Sequence, residues 1–261
     1  MRSVILDRLD GIEQEEEATI LLAIESGSRA WGFHSPDSDY DVRFIYANPI
    51  DWHLRIEPGR DVIERPISNE LDLSGWDLRK TLSLILKSNA VVLEWLQSPI
   101  CYRVDPNFRD DLIDFGKRTL RRRPVMWHYL RLAQRQSGRM MAADGTVKLK
   151  KYFYVIRPVL ALRWIRLRDG EAVPPMNMQA LMDQTDLPVD CRTMIDELTE
   201  AKRTMREVGS VSQVPKEVDA LISRETESAT AFLGDSAPEP AANAREEADN
   251  LLRKWTRAVD G

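Results

Sequence analysis

The sequence predicts an α+β protein, in which a small mixed β-sheet with helices comes first and a helical bundle follows. Apolar or alternating segments typical of strands lie in the first part of the chain, whereas from Asn107 onward these signals nearly vanish and helical patterns follow one another. The chain has 261 residues, 43% of them hydrophobic, which supports a real core and excludes a disordered protein. We predict one domain over 1–118, a helical domain over 119–235, and a linker with a terminal helix over 236–261.

The first domain opens with a charged segment, residues 7–17, that predicts a helix. It leads into Ala18 to Ile24, a nearly continuous apolar run that predicts a buried strand. Further strands are predicted at 39–46, 61–64 and 70–73. Helices are predicted at 77–87, where Asp77 is a suitable N-cap, and at 91–96.

The second half carries helical patterns separated by glycine and proline. Helices are predicted at 108–122, 124–142, 149–168, 177–184, 190–206 and 215–233. Residues 236–243 contain two prolines and three alanines and predict a flexible linker before a terminal amphipathic helix at 245–259.

The net charge of −5 hides an uneven distribution. Lys117 to Arg168 contains 15 Lys or Arg and a single acid, Asp144, so this segment carries a net charge of +14. A basic block in an acidic protein indicates a local anionic partner, either a triphosphate or a nucleic acid backbone. The alternative is a set of solvated helix faces, which is the usual role of any single arginine.

The apolar runs are much shorter than the roughly 20 residues that span a bilayer, and no signal segment opens the chain. We therefore expect a cytoplasmic protein without a membrane partner. Cys101 and Cys191 lack neighbouring Cys or His at metal-ligand spacing, so reduced thiols are expected.

The run from Gly27 to Asp41 is the most informative part of the chain. Its small-residue turn follows the first predicted strand, and two carboxylates, Asp39 and Asp41, stand one residue apart at the start of the second. Period-2 alternation places both on one face of that strand, where they could hold a common metal ion. A polar turn before a surface strand is the alternative.

Nucleotidyl transfer from a nucleoside triphosphate uses two divalent ions, which activate the nucleophile and stabilise pyrophosphate. Three carboxylates commonly hold them. Asp72, which alternates with leucines in 70–73, is the predicted third ligand, and Glu70 shares its parity as the alternative. The backbone amides of Gly27 and Ser28, with the Ser28 hydroxyl, could surround phosphates, and Arg29 is near enough to contact them.

These residues resemble a known signature. Gly27-Ser28, Gly32 and Ser38-Asp39-Tyr40-Asp41 are similar to the motif of the polymerase β-like nucleotidyltransferase superfamily. Other stretches resemble its subgroup of predicted nucleotidyltransferases associated with bacterial RNA repair: 75–80, 87–89, 93–99, His128-Tyr129, 151–154 with Arg157-Pro158, and Pro174-Pro175. The resemblance covers about residues 18–230.

The resemblance implies a catalytic domain over 1–118 and a helical domain over 119–235 that closes the nucleotide cleft. It also implies an NTP donor, Mg²⁺ or Mn²⁺ as cofactor, and Ser38 among the nucleotide-binding residues. In such enzymes a Lys and a Tyr of the helical domain often contact the triphosphate and sugar; Lys151, Tyr154 and Arg157 are the matching candidates. Against this, Tyr152 and Phe153 fit a packed core equally well.

We expect the acceptor to be an RNA 3′ end, because the basic block favours RNA. Two alternatives stay open: transfer to a protein or aminoglycoside-like small molecule, and a non-catalytic module that binds a nucleotide or a partner. The base preference and the oligomeric state are not predicted.

Overall fold

The computed structural model describes residues 1–57, 59–68, 70–140, 146–204, 210–211, 215–235 and 244–260. The predicted linker at 236–243 lies outside this range. Within it, the strands are β1 (Thr19–Glu25), β2 (Tyr40–Ala47), β3 (Val62–Glu64), β4 (Leu71–Asp77), β5 (Cys101–Val104), β6 (Val147–Lys148) and β7 (Ser210–Val211).

The helices of the described range confirm the α+β prediction. They are α1 (Arg2–Glu16), α2 (Gly27–Trp31), α3 (Ile50–His53), α4 (Leu78–Leu86), α5 (Ala90–Leu96), α6 (Pro106–Thr119), α7 (Arg122–Ser137), α8 (Leu149–Leu167), α9 (Met178–Asp183), α10 (Val189–Thr204), α11 (Lys216–Asp235) and α12 (Arg245–Val259). In the described part of the chain, no helix combines the length and apolar character needed to cross a bilayer.

The chain divides into two compact units. The first falls within residues 1–27, 39–120 and 241–261, and the second within 28–38 and 121–240. The domains predicted from the sequence are three consecutive segments, 1–118, 119–235 and 236–261. These domain limits remain a prediction. The terminal helix α12 belongs to the first unit, where it packs on α4 and α6.

The first unit is built on a sheet with the strand order β3-β4-β2-β1-β5. β2 and β4 are parallel, and the other neighbouring pairs are antiparallel, which makes the sheet mixed as predicted. β1 is buried along six of its seven residues because it lies between two other strands.

One face of the sheet packs on α1. Ile5 and Leu9 of α1 join a buried cluster with Val42, Phe44 and Tyr46 of β2. Successive side chains of a strand point to opposite faces, so Asp41 and Arg43 lie on the other face. The sheet thus separates an apolar layer under α1 from a polar one.

The second unit centres on α8. This helix buries 14 of its 19 residues and contacts α7, α9, α10 and α11. Such all-round burial explains why α8 lacks a clear polar stripe. β6 and β7 form a short antiparallel pair in the same unit.

Candidate active site

Two acidic side chains lie side by side on the parallel strands β2 and β4. Asp41 and Asp72 are register partners, and the guanidinium of Arg43 bridges them. Its Nη2 lies 3.2 Å from Asp41 Oδ1 and 2.7 Å from Asp72 Oδ2. The three side chains are 18–28% exposed, so water screens this ion-pair cluster only in part. The cation holds two mutually repelling carboxylates together, and both remain reachable from solvent.

The backbone of Asp41 is fixed by a buried carboxylate that was not predicted from the sequence. Glu25, the last residue of β1, is fully buried, and its Oε1 accepts a hydrogen bond from the Asp41 amide at 2.8 Å. Its other oxygen accepts a hydrogen bond from the Tyr102 hydroxyl. Glu25 therefore connects β5 to the residue that carries the carboxylate. The feature of the sequence that could have indicated this role is an acidic residue at the end of an otherwise apolar strand.

Gly27 allows the Asp41 carboxylate to approach the turn. Its φ is +58°, and a Cβ built on it would lie 1.9 Å from Asp41 Oδ2. The phosphate contact predicted for the Gly27 amide remains a prediction. In the structure the Asp41 carboxylate occupies the space beside Gly27. A residue with a Cβ at position 27 would collide with that carboxylate, so glycine is needed there.

The structure distinguishes the remaining acidic candidates. Asp72, rather than Glu70, faces Asp41: Glu70 precedes β4 with a φ of +65°, and its carbonyl accepts a hydrogen bond from the Tyr40 amide. Asp39 lies just before β2 and is exposed. Among the described residues, no three His, Cys, Asp or Glu side chains form a group that could hold a metal ion. Asp41 and Asp72 are brought together; Asp39 does not complete a three-residue group.

A pair of carboxylates still fits Mg²⁺. This ion prefers oxygen ligands, keeps several waters, and is commonly bound through one or two carboxylates together with substrate phosphates. Asp41 and Asp72 are the donors of this kind that the structure brings together. Residence of a metal at this site remains a prediction.

The segment 28–38 belongs to the second unit and is closed by its own hydrogen bonds. Arg29 Nη2 donates to the Ser38 carbonyl at 2.6 Å, and Ser38 Oγ accepts from the Ser35 amide at 3.0 Å. Ser28 and Ser38 are both buried. Arg29 and Ser38 therefore shape this loop, and the phosphate contacts predicted for Ser28, Arg29 and Ser38 remain predictions.

The three candidates on α8 meet one side of this segment. Tyr154 packs edge-on against Trp31, with ring centroids 5.2 Å apart, and Lys151 Nζ lies 5.6 Å from the Tyr154 centroid. Arg157 stacks its guanidinium 4.6 Å from the Trp31 centroid and donates from Nε to the Met176 carbonyl. Tyr154 and Arg157 thus contact Trp31, and Lys151 lies beside Tyr154.

Burial separates these residues by role. Arg157 is 1% exposed, so its charge is held against Trp31, whereas Lys151 and Tyr154 are partly accessible. Tyr152 and Phe153 are fully buried, and Phe153 stacks on Phe33 at 5.0 Å, in agreement with the core alternative. Nucleotide contacts by Lys151, Tyr154 and Arg157 stay predictions.

His34 lies in the same loop. Burial, followed by the charges of Arg29, Arg203 and Lys202, lowers the pKa of this imidazole. The lowered pKa favours the neutral imidazole beside the buried Lys202, whose Nζ donates to the Phe33 carbonyl at 2.8 Å.

Part of the basic block is taken up by ion pairs and ring contacts within each unit. Six of its arginines have a partner in their own unit: Arg118 pairs with Glu247, Arg122 with Asp169, Arg163 and Arg166 with Glu225, Arg168 with Glu171, and Arg157 stacks on Trp31. Much of the positive charge on α8 therefore serves packing inside the second unit.

Comparison with known proteins identifies the family. The model of RlaP, the RNA repair pathway DNA polymerase beta family, matches residues 1–254. The protein YcgL of Bacillus subtilis (strain 168), described as uncharacterised, is 43% identical over 208 residues, which are 80% of this chain and 79% of YcgL. A solved nucleotidyltransferase-like protein from Exiguobacterium sibiricum 255-15 is 14% identical with a TM-score of 0.30, over 97% of this chain and 79% of that one. The family match spans both the paired aspartates and the helical unit, and the chain belongs to the RNA repair pathway DNA polymerase beta family.

Proposed function

We propose that this protein is a metal-dependent nucleotidyltransferase that moves an NMP from an NTP to the 3′ hydroxyl of an RNA. The pairing of Asp41 with Asp72 across β2 and β4 carries this proposal, because it provides two adjacent, solvent-accessible carboxylates. The family's description names an RNA repair pathway, and this supports RNA as the acceptor.

In the proposed reaction, a bond forms between the acceptor oxygen and the α-phosphorus, and the bond between the α- and β-phosphates breaks. Pyrophosphate leaves with that electron pair, and the hydroxyl proton passes to solvent. Bound Mg²⁺ would supply Lewis-acid stabilisation of the phosphoryl oxygens. Asp41 and Asp72 would be its protein ligands.

The chain's own residues prepare this pair. The single positive charge of Arg43 offsets one of the two negative charges, which limits the repulsion between the carboxylates. Glu25 and Tyr102 hold the Asp41 backbone through a buried hydrogen-bonded pair. Such support fixes a reactive geometry before substrate arrives.

The test is transfer of α-labelled NTP in the presence of Mg²⁺, with RNA, protein and aminoglycoside acceptors offered separately. We expect label in RNA. Asp41→Asn and Asp72→Asn should each reduce transfer by about 100-fold or more, because each removes one charged ligand. Glu70→Gln is the matched control and should retain activity, because its side chain is not part of the pair.

The outcomes separate the alternatives. Label in protein or in the aminoglycoside would keep the chemistry and replace the acceptor. NTP binding without transfer to any acceptor would contradict the enzyme and favour the non-catalytic module. Equal activity of Asp41→Asn and wild type would contradict the mechanism.

A further inference from the structure

Helix α7 of the second unit presents an exposed face that its packing does not explain. Its buried side consists of Val125, Met126, Tyr129, Leu130, Ala133 and Gln136. On the other side, Trp127, Arg131 and Arg135 follow one another at intervals of four residues, and all three are exposed. We refer to these three residues as the α7 stripe. The sequence of α7 contains no acidic residue.

Trp127 is the unusual member of the stripe. It is 38% exposed, although indole is one of the largest apolar groups a protein can bury. The guanidinium of Arg131 lies 5.2 Å from its ring centroid. This cation–π contact restricts both side chains before any ligand arrives. The stripe is therefore a preformed pairing of an aromatic face with a positive charge.

The charge of the stripe is also available. Arg131 and Arg135 form no ion pair with any acid in the described part of the chain. By contrast, Arg122 at the start of the same helix pairs with Asp169. Arg163 and Arg166 on α8 pair with the buried Glu225. These three arginines are compensated by acids of the same unit, whereas the stripe leaves two cations facing solvent.

We infer that the α7 stripe binds single-stranded RNA, with a base stacked on Trp127 and phosphates bound by Arg131 and Arg135. Stacking on aromatic side chains beside a positively charged track is how proteins hold single strands without reading their sequence. Four residues advance about 6 Å along a helix, so the two guanidinium groups can serve different phosphates. An acidic protein would satisfy the arginines but would leave the indole without a matching ring. This inference rests on the RNA acceptor of the proposed function.

The experiment is titration of the full-length protein with a short, unstructured, fluorescently labelled RNA, without NTP and at several salt concentrations. Trp127→Ala should weaken binding by about 5- to 150-fold, the loss of one base stack, and Trp127→Phe should retain most of the affinity. Arg131→Gln with Arg135→Gln should reduce the slope of log affinity against log salt by about 1.4, because two phosphate contacts disappear.

The matched control is Arg8→Gln with Arg257→Gln, which removes two exposed arginines from helices of the first unit. Its affinity and salt slope should equal those of wild type. Stripe variants that behave like this control would overturn the inference. Polyglutamate is then added as a competitor of the bound RNA. If the same concentration of polyglutamate displaced the RNA from wild type and from Trp127→Ala, the inference would also be overturned, because charge alone would then explain binding.

Binding and transfer are measured separately, so the two proposals can fail independently. If the stripe variants bind RNA normally while wild type labels RNA, only the stripe assignment is wrong. If the stripe variants lose binding as expected and no NTP labels any acceptor, only the proposed reaction is wrong.

Discussion

Replacing Gly27 by alanine tests the geometry of the paired aspartates most directly. A Cβ at this position would lie 1.9 Å from Asp41 Oδ2, and ordinary contacts begin at 3.4 Å, so the carboxylate must retreat by about 1.5 Å. A displacement of about 1 Å can reduce catalysis by about 100-fold. We therefore expect Gly27→Ala to reduce nucleotidyl transfer by at least this factor. The added strain of a positive φ should cost about 1 kcal/mol of stability.

Gly170→Ala provides a matched control for the strain. Gly170 also has a positive φ, +80°, but nothing lies within 4 Å of the position that its Cβ would take. Both variants should therefore lose similar stability through backbone strain, and only Gly27→Ala should lose transfer. The assays are urea unfolding and transfer of α-labelled NTP at matched folded fractions. Similar activities for the two variants would refute the assignment of Gly27 to Asp41.

Three further predictions concern ion pairs and buried hydrogen bonds. Arg43→Gln should lower stability by about 1–3 kcal/mol, because the two carboxylates then face each other without a cation. Added Mg²⁺ should raise the melting temperature of this variant more than that of wild type. Equal increases in melting temperature would contradict this prediction. Tyr102→Phe should cost about 1–3 kcal/mol in urea unfolding, because the buried carboxylate of Glu25 loses a donor, and an unchanged midpoint would contradict it. Burial opposes ionisation of Glu225, but hydrogen bonds from Arg166 and Arg163 outweigh it and lower its pKa below the ordinary 4.5. A carboxyl whose pKa is lowered by folding stabilises the fold at pH values above its pKa in the unfolded chain. Glu225→Gln should therefore have a lower free energy of unfolding than wild type at pH 7. This difference in free energy should narrow as the pH falls below about 4.5.

The fold was predictable where local pattern and tertiary structure agree. The apolar run that became β1 and the N-cap of α4 are examples: Asp77 accepts a hydrogen bond from the Arg79 amide at 2.7 Å, as its position before the helix predicted. The second strand of the parallel pair was predicted too short. β4 continues through Gly75 because it pairs with β2 along its whole length, and a glycine inside a strand has no local signal for that pairing.

The site was predictable in part for a similar reason. Alternation selected Asp72, and the register with Asp41 confirms that these two residues are neighbours. Glu25, Arg43 and Tyr102 were not predicted as members of the site, because each acts through contacts with residues distant in sequence. A sequence pattern records which side chains are present, whereas a bridging arginine or a buried carboxylate is defined only by which partners folding brings to it.

The motif that first indicated nucleotide chemistry is continuous in sequence but divided in structure. Gly27 and Asp41 belong to the first unit, where one accommodates the other. The residues from Ser28 to Ser38 belong to the second unit, in which Phe33 stacks on Phe153 of α8. The spacing between the glycine and the aspartates therefore reflects two separate physical demands. One is room for a carboxylate beside a turn, and the other is an aromatic anchor for the loop between them. A substitution that disturbs the first should alter the acidic pair and transfer, whereas one that disturbs the anchor should act first on the stability of the helical unit.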